Sequence, residues 1–347
     1  MSPKLSLIIP ALNESKIILG NIDELSSWLN INLQSISYEI IVINDGSNDG
    51  MGNILESAKV DRGWLKVIHH KRNLGRGRGI RTGFEHSLGE YIICLDADLS
   101  YAPSVVKDLL DPLMNEDADI SLASAHHPEG KLLNVPTQRA MLSRWGNKIL
   151  GMGFDKKYDT VTCVVRGFKR KVITSLELVN DGKELHLEII QKSELMGYHI
   201  IEVPATLEWR DKKRGLTKPK RLLPEIALFK MRKTVVSHLV FNFVTNPGLM
   251  LLIPILSLIS IITATSLMLF LSLLSKLSSE ETLFLALRQT FIDGQLSLAI
   301  LFFTLITLMI FMMFYFLSYQ NKKYFDEVYT LIMRVHSKVK SIEEDNK

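Results

Sequence analysis

Cysteine is scarce in this 347-residue chain, which has only Cys94 and Cys163. Both lie in apolar runs, which excludes a disulfide framework and a cysteine-rich zinc site. A strong charge imbalance is also missing. Lysine and arginine number 41 against 37 acidic residues, a formal net charge of +4, and so small an excess does not point to nucleic acid. No signal peptide is expected, because Met1 leads straight into a short strand pattern. Charge is absent altogether from two long stretches, Leu249 to Leu274 and Gln295 to Leu317. About 20 apolar residues suffice for a helix to cross the hydrocarbon core, so both are read as transmembrane helices rather than as a buried hairpin. Pro254 inside the first is tolerable in lipid.

The flanks of these stretches set an expected topology. Lys212, Lys213, Arg214, Lys218, Lys220, Arg221, Lys230, Arg232 and Lys233 precede the first, and Lys322 and Lys323 follow the second. The loop between them has Lys276 and Arg288 against Glu280, Glu281 and Asp293. Basic flanks stay cytoplasmic, so the head and the C-terminal tail are both expected on that side, with the basic cluster near anionic lipid.

The head has the rhythm of βαβ units around a mostly parallel sheet. The apolar runs Leu5–Pro10, Tyr38–Asn44, Leu65–His69, Tyr91–Leu95 and Ile120–Ala123 are the expected strands. Helices are expected over Glu14–Leu29, Met51–Lys59, Arg76–Ser87, Val105–Asn115 and Gln138–Leu150. Ligands of such sheets bind at the carboxyl ends of strands, and the polar motifs fall there. Pro10-Ala11-Leu12-Asn13-Glu14 follows the first strand, Asn44-Asp45-Gly46-Ser47-Asn48-Asp49-Gly50 the second, and Asp96-Ala97-Asp98 the fourth. Residues two apart on a strand share a face, so Asp96 and Asp98 suit one hard cation, Mg²⁺ or Mn²⁺, with a diphosphate attached. Asn73-Leu74-Gly75-Arg76-Gly77-Arg78-Gly79 opens a helix, where small residues let backbone N–H groups approach phosphate or sugar oxygens.

Together these motifs resemble the family-2 glycosyltransferases, and within them the polyprenyl-phosphate sugar synthases of the dolichyl-phosphate mannose or glucose type. The resemblance covers nearly the whole head. It implies a GT-A nucleotide-sugar-binding fold, Rossmann-like, over residues 1–210. A basic loop with juxtamembrane amphipathic helices over 211–246, two transmembrane helices over 247–318 and a cytoplasmic amphipathic tail over 319–347 would follow. By this likeness Pro10, Ala11, Asn13, Glu14, Asp45, Gly75, Gly77 and Ala97 bind the nucleotide sugar, and Asp96 and Asp98 hold the metal and diphosphate. Glu202-Val203-Pro204, then Arg210 and Gly215-Leu216-Thr217-Lys218, resemble the family's loop that closes over the nucleotide, with Arg210 and Lys218 on the diphosphate. Arg139, Ser143 and Arg144 are assigned to the acceptor phosphate, since Arg139 and Ser143 share one helical face. Glu188 matches a family acid and is assigned to orienting acceptor or metal.

The chain also departs from the family pattern. Asn44 replaces an Asp, Ser100 stands where relatives carry Gln or His, and Ala123-Ser124-Ala125 replaces G-S-R, with His126 and His127 next. Asp159 is one residue out of step, and Val164-Val165 replaces G-F. After the second apolar stretch, Phe325, Val328, Ile332, Val335, Val339 and Ile342 recur at heptad spacing. This tail is read as an amphipathic helix on the head or membrane, or else as a self-association helix making a homo-oligomer.

The reading is a membrane-anchored, metal-dependent, inverting hexosyltransferase that uses a GDP- or UDP-hexose and a polyprenyl or dolichyl phosphate at the cytoplasmic leaflet. A transferase acting on a glycan or glycolipid hydroxyl, and a non-catalytic nucleotide-sugar or lipid-binding subunit, are its alternatives.

Overall fold

The computed structural model describes residues 3–115, 118–151, 154, 156–209, 247–278 and 282–345. The chain divides into two compact units, residues 1–234 with 330–347, and residues 235–329.

In the head, β1 (Leu5–Ala11), β2 (Tyr38–Asn44), β3 (Leu65–His69) and β4 (Tyr91–Cys94) pair in parallel, as expected. The helices α1 (Ile18–Asn32), α2 (Met51–Lys59), α3 (Arg76–His86) and α4 (Val105–Asn115) alternate with these strands and lead to β5 (Ile120–Ser124). Strand alternation divides the core in two. Leu5, Leu7, Ile9, Ile40 and Val42 pack into one buried cluster, whereas Ile8, Ile41 and Ile43 pack into another. A sheet with both faces covered buries every position of a strand, which is why these segments read as unbroken apolar runs.

The full sheet has seven strands in the order β3-β2-β1-β4-β7-β5-β8. The later elements are β6 (Lys131–Leu133), α5 (Thr137–Gly151), β7 (Arg166–Lys169), α6 (Arg170–Ser175), α7 (Leu185–Leu195), β8 (Ile200–Pro204) and β9 (Thr206–Glu208). Strand β7 runs antiparallel between β4 and β5, and β6 with β9 forms a separate two-stranded sheet. The order reverses between β1 and β4, and a doubly wound sheet opens its ligand crevice at such a reversal.

The second unit contains α8 (Pro247–Leu277), α9 (Leu283–Asp293) and the start of α10 (Gln295–Asp345). Leu251–Leu277 and Gln295–Ile332 are long and apolar enough to cross a membrane, with mean hydropathies of 2.2 and 2.6. Their large side chains, among them Phe270, Leu271, Phe302 and Phe303, lie exposed, as lipid-facing residues would. Helix α9 is capped by the Thr282 hydroxyl, which accepts from the Leu285 N–H, and Asp293 at its end pairs with Lys276. The expected helical tail continues directly from the second apolar stretch. Helix α10 contains neither Gly nor Pro and continues without interruption to Asp345. At 1.5 Å per residue its length is about 75 Å, more than twice the ~30 Å hydrocarbon core. Phe325, Val328, Ile332 and Val335 of the heptad stripe are exposed on it.

Candidate active site

Register brings three loops to one end of the sheet. Ala11 pairs with Asn44 and Ile8 with Cys94, so the residues after β1, β2 and β4 emerge side by side. They are then stitched together. The Asn13 N–H donates to Ser47 Oγ (2.9 Å), the Asn48 N–H to Asn13 Oδ1 (3.0 Å), and the Ser15 N–H to Asp49 Oδ2 (2.9 Å). Asn13 holds a left-handed φ of 56°, a conformation Asn tolerates better than most residues. Asn21 Nδ2 donates to the Ala97 carbonyl (2.7 Å) and ties α1 to the acidic triplet.

A cavity of about 940 Å³ opens over these loops. Asn13, Glu14, Lys16 and Asp49 line it from β1 and β2, and Arg76, Asp96, Asp98 and Ser100 from α3 and β4. Asp98 Oδ1 accepts from the Ser100 N–H (3.0 Å), and Leu99 between them has a φ of 48°. A buried leucine in the left-handed region is strained, and its burial in the core offsets that cost. Burial drives the Asp96 carboxyl up to about 6; the Arg76 guanidinium, 3.5 Å away, opposes this and the Asp98 charge adds to it. Two crowded carboxylates and one partial neutraliser are a suitable place for a cation. Among the described residues no group of three or more His, Cys, Asp or Glu forms a metal-binding cluster, so an ion here would take its remaining oxygens from ligand and water.

The rest of the lining includes Ala125, His126, Arg139, Ser143, Asn147 and Trp209. The Arg139 guanidinium lies 4.5 Å above the Trp209 ring, which supports the fork from behind. Ser143 Oγ and His126 Nε2 are 3.0 Å apart. Burial, and next the Arg144 charge, hold the His126 imidazolium below its usual range against a smaller opposite pull from Asp159. His126 therefore stands beside Ser143 as a neutral ring. Asn147, buried at the foot of α5, holds this corner together. Its Oδ1 accepts from the N–H groups of Val161 and Thr162 and from the Thr162 hydroxyl, and its Nδ2 donates to the Ser143 carbonyl (2.9 Å). Asn147→Ala is expected to lower stability by about 2 kcal/mol, because two backbone donors lose their partner. Chemical denaturation measures the loss, and an unchanged midpoint refutes the assignment.

Of the residues expected at the site, Asn13, Glu14, Asp96, Asp98, Arg139 and Ser143 line one cavity. Pro10, Ala11 and Ala97 do not line it. Several others are engaged by the protein itself. Asp45 is buried, and its carboxylate accepts from the Leu74 and Gly75 N–H groups (2.9 Å each) and contacts His70 Nδ1 (2.7 Å). It anchors the glycine loop. A Cβ at Gly75 would meet the Asp181 carbonyl oxygen at 2.6 Å and one at Gly77 the Gly182 carbonyl oxygen at 2.4 Å, so these glycines admit the chain's own backbone. Arg144 is exposed on α5 and outside the cavity lining. Arg210 and Lys218 lie outside the described residues.

Glu188 lies away from the cavity. Its carboxylate accepts from the N–H groups of Val179 and Asn180, from Asn180 Nδ2 (2.9 Å each) and from Lys192 Nζ (2.7 Å), and it does not line the cavity. Burial raises its pKa, but these hydrogen bonds and Lys192 outweigh burial and leave it lowered. In this position it clamps the segment before α7. Glu188→Gln replaces an acceptor by a donor against N–H groups and is expected to cost about 1–3 kcal/mol at neutral pH with turnover unchanged. The cost shrinks as pH falls below the ordinary Glu value of about 4.3, where the unfolded carboxylate protonates, and is gone once pH passes below the lowered value of the folded protein. A tenfold fall in turnover at unchanged stability restores a role in the reaction.

Sequence reading missed Asn147, Trp209 and the pairing of Arg76 with Asp96, because each contact joins segments whose proximity only the fold creates. Glu202, noted for its motif, accepts from the N–H groups of Asp159 and Thr160 (2.8 Å each) and so fixes a loop whose Thr160 lines the cavity.

Comparison with known proteins agrees with the layout. Residues 6–176 match the model of Glycosyl transferase family 2. The chain is 30% identical over 224 residues to a dolichol-phosphate mannosyltransferase of Pyrococcus furiosus, covering 63% of this chain and 60% of that one. It is 27% identical over 219 residues to a polyprenol monophosphomannose synthase of Mycolicibacterium smegmatis, covering 59% and 77%. It is 29% identical over 174 residues to an undecaprenyl-phosphate 4-deoxy-4-formamido-L-arabinose transferase of Shewanella sediminis, covering 49% and 50%. The chain thus spans less than two thirds of the length of the first and third of these relatives. Residues 6–176, whose motifs supply the loops over the cavity, form a glycosyl transferase family 2 domain.

Proposed function

We propose that this protein transfers a hexose, with inversion, from a nucleoside diphosphate sugar to a polyprenyl phosphate at the cytoplasmic face of a membrane. The observation that carries the reading is that a carboxylate pair, Asp96 and Asp98, and a cation beside a hydroxyl, Arg139 and Ser143, line one cavity. A leaving diphosphate and an incoming phosphate need those two environments close together. The three relatives support the acceptor class: their names share a phosphorylated polyprenol or dolichol, while the sugar is mannose in two and 4-deoxy-4-formamido-L-arabinose in the third. The apolar helices α8 and α10 suit an enzyme with a lipid substrate.

Asn13 and Glu14 would bind the nucleoside, with Arg76 close to the diphosphate. Asp96 and Asp98 would hold Mg²⁺ or Mn²⁺, which neutralises negative charge developing on the diphosphate as it departs. Arg139 would grip the acceptor phosphate through its fork, and the Ser143 hydroxyl would donate to a second oxygen, with neutral His126 fixing that hydroxyl. An oxygen of the acceptor phosphate forms the new bond to the anomeric carbon as the bond to the nucleotide breaks on the opposite face. The acceptor is already an anion, so no side chain has to remove a proton.

The test incubates the full-length protein in detergent with Mn²⁺ or Mg²⁺, a polyprenyl phosphate and a panel of GDP- and UDP-sugars, with mass spectrometry as the readout. A lipid-linked sugar is expected from one donor. Metal-dependent binding of a nucleotide sugar without any lipid product overturns the lipid acceptor in favour of a glycan hydroxyl.

A further inference from the structure

Helix α5 has a second face that the reaction does not use. Met141, Leu142 and Trp145 are 57%, 60% and 60% exposed on it. At 3.6 residues per turn these three fall within an arc of about 100°. Arg139, Ala140, Ser143 and Asn147, which line the cavity, occupy the opposite side of the same helix. Three large apolar side chains contiguous on one helix form a patch with a purpose, because scattered exposed hydrophobics do not cluster in this way.

The charges around the patch say what covers it. From Lys131 to Phe154 the chain contains Lys131, Arg139, Arg144 and Lys148 and no acidic residue at all. Arg144 and Lys148, both exposed, flank the apolar arc on one side. An apolar strip with Trp in it, bordered by cations and free of carboxylates, matches the interface of an anionic bilayer, where the strip reaches the acyl boundary and the cations meet headgroup phosphates. A protein partner or a second copy of this chain would instead call for complementary carboxylates near Arg144 and Lys148. The same chain carries two helices apolar enough to cross a membrane, so such a surface is available to it.

We propose that α5 is an in-plane membrane-docking helix, seated in an anionic leaflet through Met141, Leu142 and Trp145, with Arg144 and Lys148 on headgroups. It would be an attachment additional to the membrane-crossing helices. Taken with the lipid-phosphate reading above, on which this consequence alone rests, a phosphate in the cavity and its hydrocarbon chain in the bilayer lie on opposite sides of one helix. That is a separation of about 10 Å. The helix would serve as the sill over which the acceptor enters.

The test places the full-length protein in nanodiscs containing phosphatidylglycerol, with acyl chains either plain or brominated, since bromine quenches tryptophan only at close approach. Emission of Trp145 is taken as the difference between wild type and Trp145→Phe. At least twofold quenching by brominated lipid is expected, and the double variant Met141→Ser, Leu142→Ser is expected to lose most of it at an unchanged melting temperature. Equal Trp145 emission in plain and brominated discs overturns the proposal, whether residues 210–246 or a second copy occupies the face; cross-linking between copies through Cys at 142 identifies the latter. Activity separates this from the functional reading. With a long polyprenyl phosphate in the disc, the double variant is expected to raise the acceptor KM about tenfold and leave the nucleotide-sugar KM unchanged. Quenching in a protein that glycosylates no polyprenyl phosphate would retain the docking helix and remove the proposed acceptor.

Discussion

Asp98→Ala is expected to lower kcat/KM by at least about 10³-fold, roughly 4 kcal/mol of transition-state stabilisation, while leaving the fold intact. Asp96 and Asp98 are the two carboxylates of the strand-end triplet, both on the cavity, and no larger acidic or histidine cluster among the described residues can take over. Removing one leaves a single carboxylate beside Arg76, whose guanidinium then neutralises Asp96 and lowers the affinity for a divalent ion. The fold loses little, since the Asp98 side chain accepts a single local hydrogen bond among the described residues, from the Ser100 N–H. A change of melting temperature equivalent to about 1 kcal/mol or less is expected. The measurement is initial rate against Mn²⁺ concentration for wild type and variant, with thermal denaturation alongside. Turnover within tenfold of wild type would place the cation elsewhere. A wild type that binds nucleotide sugar without turnover, and keeps its lipid ligand after Asp98→Ala, would make the chain a binding subunit.

Much of the head was legible because its first half follows simple physics. Strands β1, β2, β4 and β5 are runs covered on both faces and β3 is a half-buried edge strand, all bounded by polar turns, and the expected limits of the five are correct to within a residue. Helix α1 starts later than expected, at Ile18 instead of Glu14. Residues 13 to 17 form a turn in which the Glu14 carbonyl accepts from Ile17 and Ile18, and the site uses that turn. Strand β7 was not legible. Arg166-Gly167-Phe168-Lys169 carries two cations and a glycine, a pattern that reads as surface. Yet Arg166 is 1% exposed, donating to the carbonyls of Cys163 (2.7 Å), His186 (2.7 Å) and Val161 (2.6 Å). Burial lowers its pKa to about 10, still high enough for a charged brace at neutral pH. Gly167 is required because a Cβ there would meet Ser121 Oγ at 2.5 Å. No local pattern announces a buried cation satisfied by three carbonyls, one of them 20 residues away, so the central antiparallel strand stays hidden until the fold is known.

The corner formed by Arg139 and Ser143 shows the same limit at the site. Arg139 and Ser143 were found by helical spacing, but Trp209 is 70 positions from Arg139 and supplies the contact that fixes the guanidinium. Arg139→Ala is expected to raise the KM for the lipid phosphate about 10²-fold, since bidentate charged hydrogen bonds together supply about 3 kcal/mol. The nucleotide-sugar KM should stay within twofold of wild type. Arg139→Lys is expected to recover only part of the loss, because an ammonium keeps the charge but neither the fork nor the flat stacking surface. Trp209→Ala should reproduce a fraction of the defect by freeing the guanidinium, and a double-mutant cycle should give a coupling of about 1 kcal/mol. If Arg139→Ala instead raised the nucleotide-sugar KM and left the acceptor KM unchanged, Arg139 would belong to the donor and the acceptor would enter by another route. If both constants rose together, the cavity would be a single compartment in which loss of Arg139 disturbs donor and acceptor alike, and the division into two subsites would fail.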